Sequence, residues 1–117
     1  MSVYGGQGDY AELMELQADL QHKVEELSTA GVEYATAERN YRVALKTEIL
    51  RLRAKGQPVT IVSDLARGDE DVANLKLSRD ATKSVYEATI EAVNVLKLRI
   101  RMVNEQINRE WNSTSIY

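Results

Sequence analysis

The segment Asp69 to Trp111 limits what this chain can fold into more than any other. Steps of seven from Val72 land on Arg79, Tyr86, Val93, Ile100 and Ile107. Steps of seven from Leu75 land on Thr82, Thr89, Leu96, Val103 and Glu110. The second half of this double stripe is apolar almost throughout, and no proline or glycine interrupts it. A stripe repeating every seven residues belongs to a helix that lies along another helix. The rest of the chain is read as what this helix packs against.

An earlier segment supplies the partner. Leu13, Leu20, Leu27, Tyr34 and Tyr41 recur at sevens, with Leu16, Val24, Ala30 and Ala37 at the alternate positions, and the stripe continues through Leu45, Ile49 and Leu52. The step from Tyr41 to Leu52 is eleven residues, which relaxes a left-handed supercoil locally. Gly31 sits inside this stripe and costs a helix about 1 kcal/mol relative to Ala. The stripe stays in phase across it, so one continuous helix to Ala54 is expected, bent near Ser28 to Gly31. Asp9 is the expected N-cap, with Glu12 and Glu15 suiting a helix start.

Lys55-Gly56-Gln57-Pro58 is the strongest stop signal, because Gly56 can take the left-handed conformation and Pro58 blocks continuation. A short helix follows over Val59 to Arg67, with Thr60 as its cap, Ile61, Val62 and Leu65 turned inward, and Gly68 ending it. Asp69 then caps the last helix, with Glu70 and Asp71 in its favourable first turn. Residues 1–8, with glycines at 5, 6 and 8, read as a flexible leader, and 112–117 as a flexible tail. Residues 9–111 form the single domain between them.

The two stripes have equal spans, Leu13 to Leu52 and Val72 to Trp111, as an antiparallel hairpin requires. Such a hairpin sets Leu52 against Val72, Tyr34 near Ile90 and Val93, and Leu13 against Trp111. Charge agrees. Residues 1–38 carry one lysine and eight acids, and 39–58 six bases and one acid. Residues 59–92 carry four bases and seven acids, and 93–117 four bases and two acids. Folding back places the acidic start beside the basic end, whereas parallel helices would set acid on acid.

Both helices also carry apolar residues away from the seam. On the last helix these are Ala81, Val85, Ala88, Ala92, Val95 and Met102; on the first, Met14, Val32, Val43 and Leu50. A two-helix hairpin cannot cover both sets. The expected fold is therefore all-α: an antiparallel coiled-coil-like hairpin of two long helices with a short helix in the connector, assembling as a homo-oligomer. A two-fold dimer forming a four-helix bundle is the simplest case.

No residue pattern points to catalysis. His22 is the lone histidine; with Asp19 and Glu25 or Glu26 a turn away it makes a weak metal pattern, and the chain has no cysteine. The acids at Glu25/Glu26 and Asp69/Glu70/Asp71 read as helix-solvating and dipole-satisfying groups. The glycines near the start lack the lysine and the strand–loop–helix setting of a phosphate loop. The expectation is a protein without enzymatic activity, metal or cofactor. With no apolar run near the roughly 20 residues that span a bilayer, it is expected to be soluble and cytoplasmic, without a membrane partner.

Two surfaces remain as candidates. Arg39, Arg42, Lys46, Arg51, Arg53 and Lys55 form a basic stretch, with the first three on one helix face around Tyr41, that could meet nucleic-acid phosphates. The competing reading is that these bases complement the helix dipole and the acids of residues 64–80. Ile61, Val62 and Leu65 of the connector exceed the apolar content of a plain turn. They cap the bundle end or meet a partner protein. Tyr34, Tyr41 and Trp111 read as core and bundle-end packing.

The run Pro58-Val59-Thr60, then Leu65-Ala66-Arg67-Gly68, Val72-Ala73-Asn74-Leu75 and Tyr86-Glu87-Ala88, resembles small helical proteins of bacteriophage and prophage genomes. The resemblance implies a phage-encoded accessory or inhibitor protein, or an assembly component, acting in a bacterial cytoplasm on an unidentified protein. The layout is also similar to that of the WXG-type helical hairpins, but the turn Ala54-Lys55-Gly56-Gln57-Pro58 has no tryptophan, so nothing is carried over from them.

Overall fold

The computed structural model describes residues 5–115, with side chains described for 8–113. Among these residues the regular structure is all helical: α1 is Gly5–Ala54, α2 is Val59–Arg67 and α3 is Glu70–Ser115. α1 and α3 run antiparallel and α2 sits in the connector, the helical hairpin expected from the two stripes. α1 passes through Gly31 unbroken.

The heptad pattern marks the packed face correctly. All twelve α3 positions counted from Val72 and Leu75 are buried or half-buried. On α1 the same holds for the stripe from Leu13 to Leu52, with one exception. Val24 is exposed, and Lys23 occupies the heptad slot between the buried Leu16 and Ala30. Lys23 tolerates that slot because its aliphatic stem can lie on the seam while its ammonium turns out to Glu26, 2.9 Å away.

The packing groups into two compact units, one of residues up to Leu27 with those from Ala88 onward, the other Ser28–Glu87. In the first, Leu16 and Val93 are buried, and Glu12 faces Arg99 across the hairpin at 4.0 Å. In the second, Ala30, Ala37 and Tyr41 of α1 are buried together with Val72 of α3. There Tyr34 stacks on Tyr86, with ring centroids 5.7 Å apart. Tyr86 lies one turn nearer the connector than the expected Ile90 and two turns nearer than Val93.

The connector explains this shift. Leu52 packs on Val62 and Ala66, with Leu45 and Ile49 alongside, so α2 fills the place where the equal-span reading puts Val72. The pairing of α1 with α3 is displaced by about one turn as a result. Trp111 therefore does not close the bundle end against Leu13; it is 73 % exposed. Asp9 already faces Glu110, and the next α1 residue, Gly8, offers no side chain for an indole to rest on.

The turn signals hold at Gly56, whose φ is +85°, and fail at Thr60. α2 begins directly after Pro58, whose carbonyl accepts from the Ile61 N–H at 3.1 Å, so Thr60 is already inside the first turn. Gly68 ends α2 in a right-handed conformation, donating its N–H to the Asp64 carbonyl at 3.1 Å. Asp69 caps α3 as expected: its Oδ2 accepts from the Val72 N–H at 3.1 Å.

The ends differ from expectation. Of the leader read over residues 1–8, positions 1–4 lie outside the described residues, while Gly5 to Gly8 are helical. Asp9 is thus interior to α1 rather than its cap, and its carboxyl is engaged with Glu110. Of the tail read over 112–117, the residues up to Ser115 continue α3, and 116–117 lie outside the described residues.

Candidate interaction surfaces

The connector residues divide between two roles. Val62 is 2 % exposed and Ala66 fully buried, so Val62 belongs to the core and not to a partner surface. Ile61 and Leu65, expected to turn inward, are 43 % and 44 % exposed. One turn of helix separates Val62 from Ala66, which gives α2 a single narrow inward stripe and leaves Ile61 and Leu65 on its flanks. α2 both caps the hairpin and presents apolar side chains outward.

The six bases of the candidate nucleic-acid stretch are all exposed. By the helical period, Arg39, Arg42, Lys46 and Arg53 share one side of α1, while Arg51 and Lys55 point the other way. Three of the six are engaged locally. Arg39 Nη1 donates to Asn40 Oδ1 at 3.1 Å. Arg42 Nε donates to Glu38 Oε1 at 2.6 Å, and Arg51 forks onto Glu48. These hydrogen bonds are the main reason the Glu38 and Glu48 carboxyls are held below their ordinary range, against an opposing effect of partial burial. The charge of Asp69 also reaches Arg51 across the connector, without an ion pair between them.

Deeper in the same unit, Arg79 occupies a seam position. Its guanidinium lies 4.8 Å from the centre of the Tyr41 ring, and its Nη1 is 3.4 Å from Glu38 Oε2. Its Nε donates to Asp80 at 2.8 Å. A half-buried cation on an aromatic face contributes about 0.5–2 kcal/mol. It also ties one α3 position to two α1 residues, which favours this register over its neighbours.

In the other unit, Asp19, His22, Lys23 and Glu26 of α1 and Ala92, Val95 and Leu96 of α3 line an open groove of about 570 Å³. Its floor is apolar and one wall is charged. Among the described residues no three His, Cys, Asp or Glu side chains are placed to hold a metal ion. Farther along the same unit, Asp9 and Glu110 form an acid pair. Burial first, then the hydrogen bond and charge of Glu110, raise the Asp9 carboxyl above its ordinary value.

The outer faces are the largest feature. Met14, Val32, Val43 and Leu50 of α1 are all exposed, as are Val85, Val95 and Met102 of α3. Leu77 and Leu98 join them, and the off-seam reading of the sequence missed both. They sit among Lys76, Lys97 and Arg99, which hides them from a search for apolar runs; counting fours and threes back from Met102 through Val95 finds Leu98. No helix among the described residues is long and apolar enough to cross a membrane. Comparison of the chain with protein-family models, with curated proteins and with solved structures gives no match.

Proposed function

We propose that this chain is a non-enzymatic protein–protein interaction module that works as a homodimer. In this reading it serves a phage or prophage as an accessory or inhibitor protein, acting on a host or phage protein in the bacterial cytoplasm. The observation that carries self-association is surface left uncovered. Met14, Val32, Val43 and Leu50 of α1 and Leu77, Val85, Val95, Leu98 and Met102 of α3 are all exposed, more apolar side chain than a two-helix hairpin can cover by itself. Ile61 and Leu65, outside the hairpin core, are the surface assigned to the second protein. The phage setting rests on the resemblance of residues 58–88.

Light scattering from low to high micromolar concentration tests the first half of the proposal. The expected mass is twice that of the chain, and a monomer at high micromolar overturns it. For the second half, a protein captured from host lysate should be lost when Ile61 and Leu65 are both replaced by Asp, with the dimer intact. Capture that survives this change removes the connector from the binding surface.

A second reading is favoured by the shared side of Arg39, Arg42, Lys46 and Arg53: a nucleic-acid accessory protein that grips phosphates. It predicts a gel shift at low salt that fades steeply as salt rises and vanishes when Arg39, Arg42 and Lys46 become Ala. No shift at low salt removes this reading.

A further inference from the structure

The open end of the hairpin, where α1 begins and α3 finishes, is closed by one acid from each helix. The Asp9 carboxyl faces that of Glu110, and the Asp9 Oδ2 is buried with no hydrogen-bond partner. Glu110 is half-buried on the seam side of α3, and its Oε1 accepts from Gln106 Nε2 at 3.0 Å. That donor favours the charged form of Glu110, so the two carboxyls meet comfortably only with a proton on Asp9. The other charged groups at this end do not replace that proton. Glu12 and Glu105 line the same cleft as Asp9 and add negative charge. Of the bases, Arg109 donates to Gln106 Oε1 at 2.7 Å, and Arg99 is turned to Glu12 at 4.0 Å.

We infer that this end is a proton-dependent clasp, shut while one proton is shared between Asp9 and Glu110 and opened when that proton leaves. Two charged carboxylates in one half-buried site repel, and nothing donates to the buried Asp9 oxygen to offset its loss of water. Little else holds the helix start. Gly5, Gly6 and Gly8 are poor helix formers, α1 has no acid in its first turn, and α3 has no base in its last. An acid whose carboxyl is raised in the closed form holds its proton more tightly there. Closing is therefore favoured in acid, and the preference is lost as pH rises through the raised value. Opening bares the seam residues nearest this end, Leu13 and Ile107, which the closed form half-buries. The clasp does not depend on the proposed dimer or on its partner.

Trp111 is the chain's one tryptophan, and there is no cysteine. Gly8 and Trp111 are the residues next outward from Asp9 and Glu110, and a Cβ on Gly8 meets nothing within 4 Å. Gly8→Cys therefore accepts a bimane fluorophore, which tryptophan quenches at close range. The measurement is made in an excess of unlabelled Trp111→Phe chain, so that quenching is within one molecule. Bimane emission should rise about twofold from about pH 4 to about pH 7.5, centred above the ~4 of a free carboxyl. Asp9→Asn should keep emission low throughout, because its amide donates to Glu110 without a titrating proton, and Glu110→Gln should do the same toward Asp9. His22→Gln should leave the rise in place. Circular dichroism at both ends of the range checks that the helices persist. Emission that stays flat in the labelled native sequence overturns the clasp. So does a rise that survives both Asp9→Asn and Glu110→Gln, or one that His22→Gln removes.

Discussion

Gly31 of α1 and Tyr86 of α3 meet so closely that a Cβ on Gly31 would lie 3.3 Å from Tyr86 Cε1. That distance is tighter than ordinary van der Waals contact, so the glycine is a notch for the ring. Tyr86 also packs against Tyr34, with ring centroids 5.7 Å apart. The glycine weakens α1, and the close approach of the two helices offsets that loss.

Replacing Gly31 by Ala should therefore have two opposed effects. Helix propensity gains about 1 kcal/mol, while the ring must move by a few tenths of an ångström. In a Tyr86→Ala background the second effect is gone, and Gly31→Ala should stabilise by about the full propensity gain. In the native chain it should stabilise by clearly less, or destabilise. Urea unfolding of the four variants measures the coupling. Equal effects in both backgrounds would mean that the ring does not sense this position.

Protonation should act with opposite sign in the two units. The Glu38 carboxyl is lowered below its ordinary 4.5, first by the Arg42 hydrogen bond and further by Arg79. An acid with a lowered folded-state value adds stability above its unfolded value and loses it as pH falls through the folded one. Stability from Glu38 should thus decline from about pH 4.5 downward, and Glu38→Gln should flatten that decline. The Asp9 carboxyl is raised, by burial and then by Glu110. It opposes folding at neutral pH, and the opposition fades as acid protonates it. Asp9→Asn should raise the melting temperature at pH 7 and give a smaller gain near pH 4. A gain that does not depend on pH would exclude the acid pair as its cause.

The seam was legible because a seven-residue period survives individual polar members; Arg79, Thr82 and Thr89 hold their places in it as surely as Val93. The register was not legible to better than one turn. It depends on how α2 fills the corner, and nothing in the spacing of Leu52 and Val72 shows that Val62 and Ala66 come between them. The notch at Gly31 was hidden for the same reason, since it exists only when Tyr86 arrives opposite. The outer patch was visible in Val95 and Met102 and obscured at Leu98, where charged neighbours interrupt the apolar text. The position of Lys23 in an apolar slot follows from its stem, which a residue alphabet treats as charge.

The cap at Asp69 should be worth measuring by itself. Its Oδ2 satisfies the Val72 N–H at the start of α3, and Val72 is itself a buried seam residue. Asp69→Ala should destabilise by about 1 kcal/mol, and Asp69→Ser by less, because a hydroxyl can accept the same bond. Equal losses for Ala and Ser would show that charge near the helix start matters here and the hydrogen bond does not.

The corner formed by α2 makes a sharper prediction, because neighbouring apolar residues there should behave differently. Val62 and Ala66 pack on Leu52, and neither has room to change size. Val62→Ala removes buried methyl groups and should cost about 1–2 kcal/mol, scaled down from the 2–5 of larger aliphatic residues. Ala66→Leu forces bulk into a filled site and should cost about 1–3 kcal/mol. Ile61→Ser and Leu65→Ser, on the flanks of the same helix, should stay within about 0.5 kcal/mol. Urea midpoints read at low concentration, below the dimer range, make this comparison one of chain stability alone. Should Ile61→Ser or Leu65→Ser cost as much as Val62→Ala under those conditions, the flanks of α2 belong to the core, and the connector surface assigned to a partner protein has to be given up.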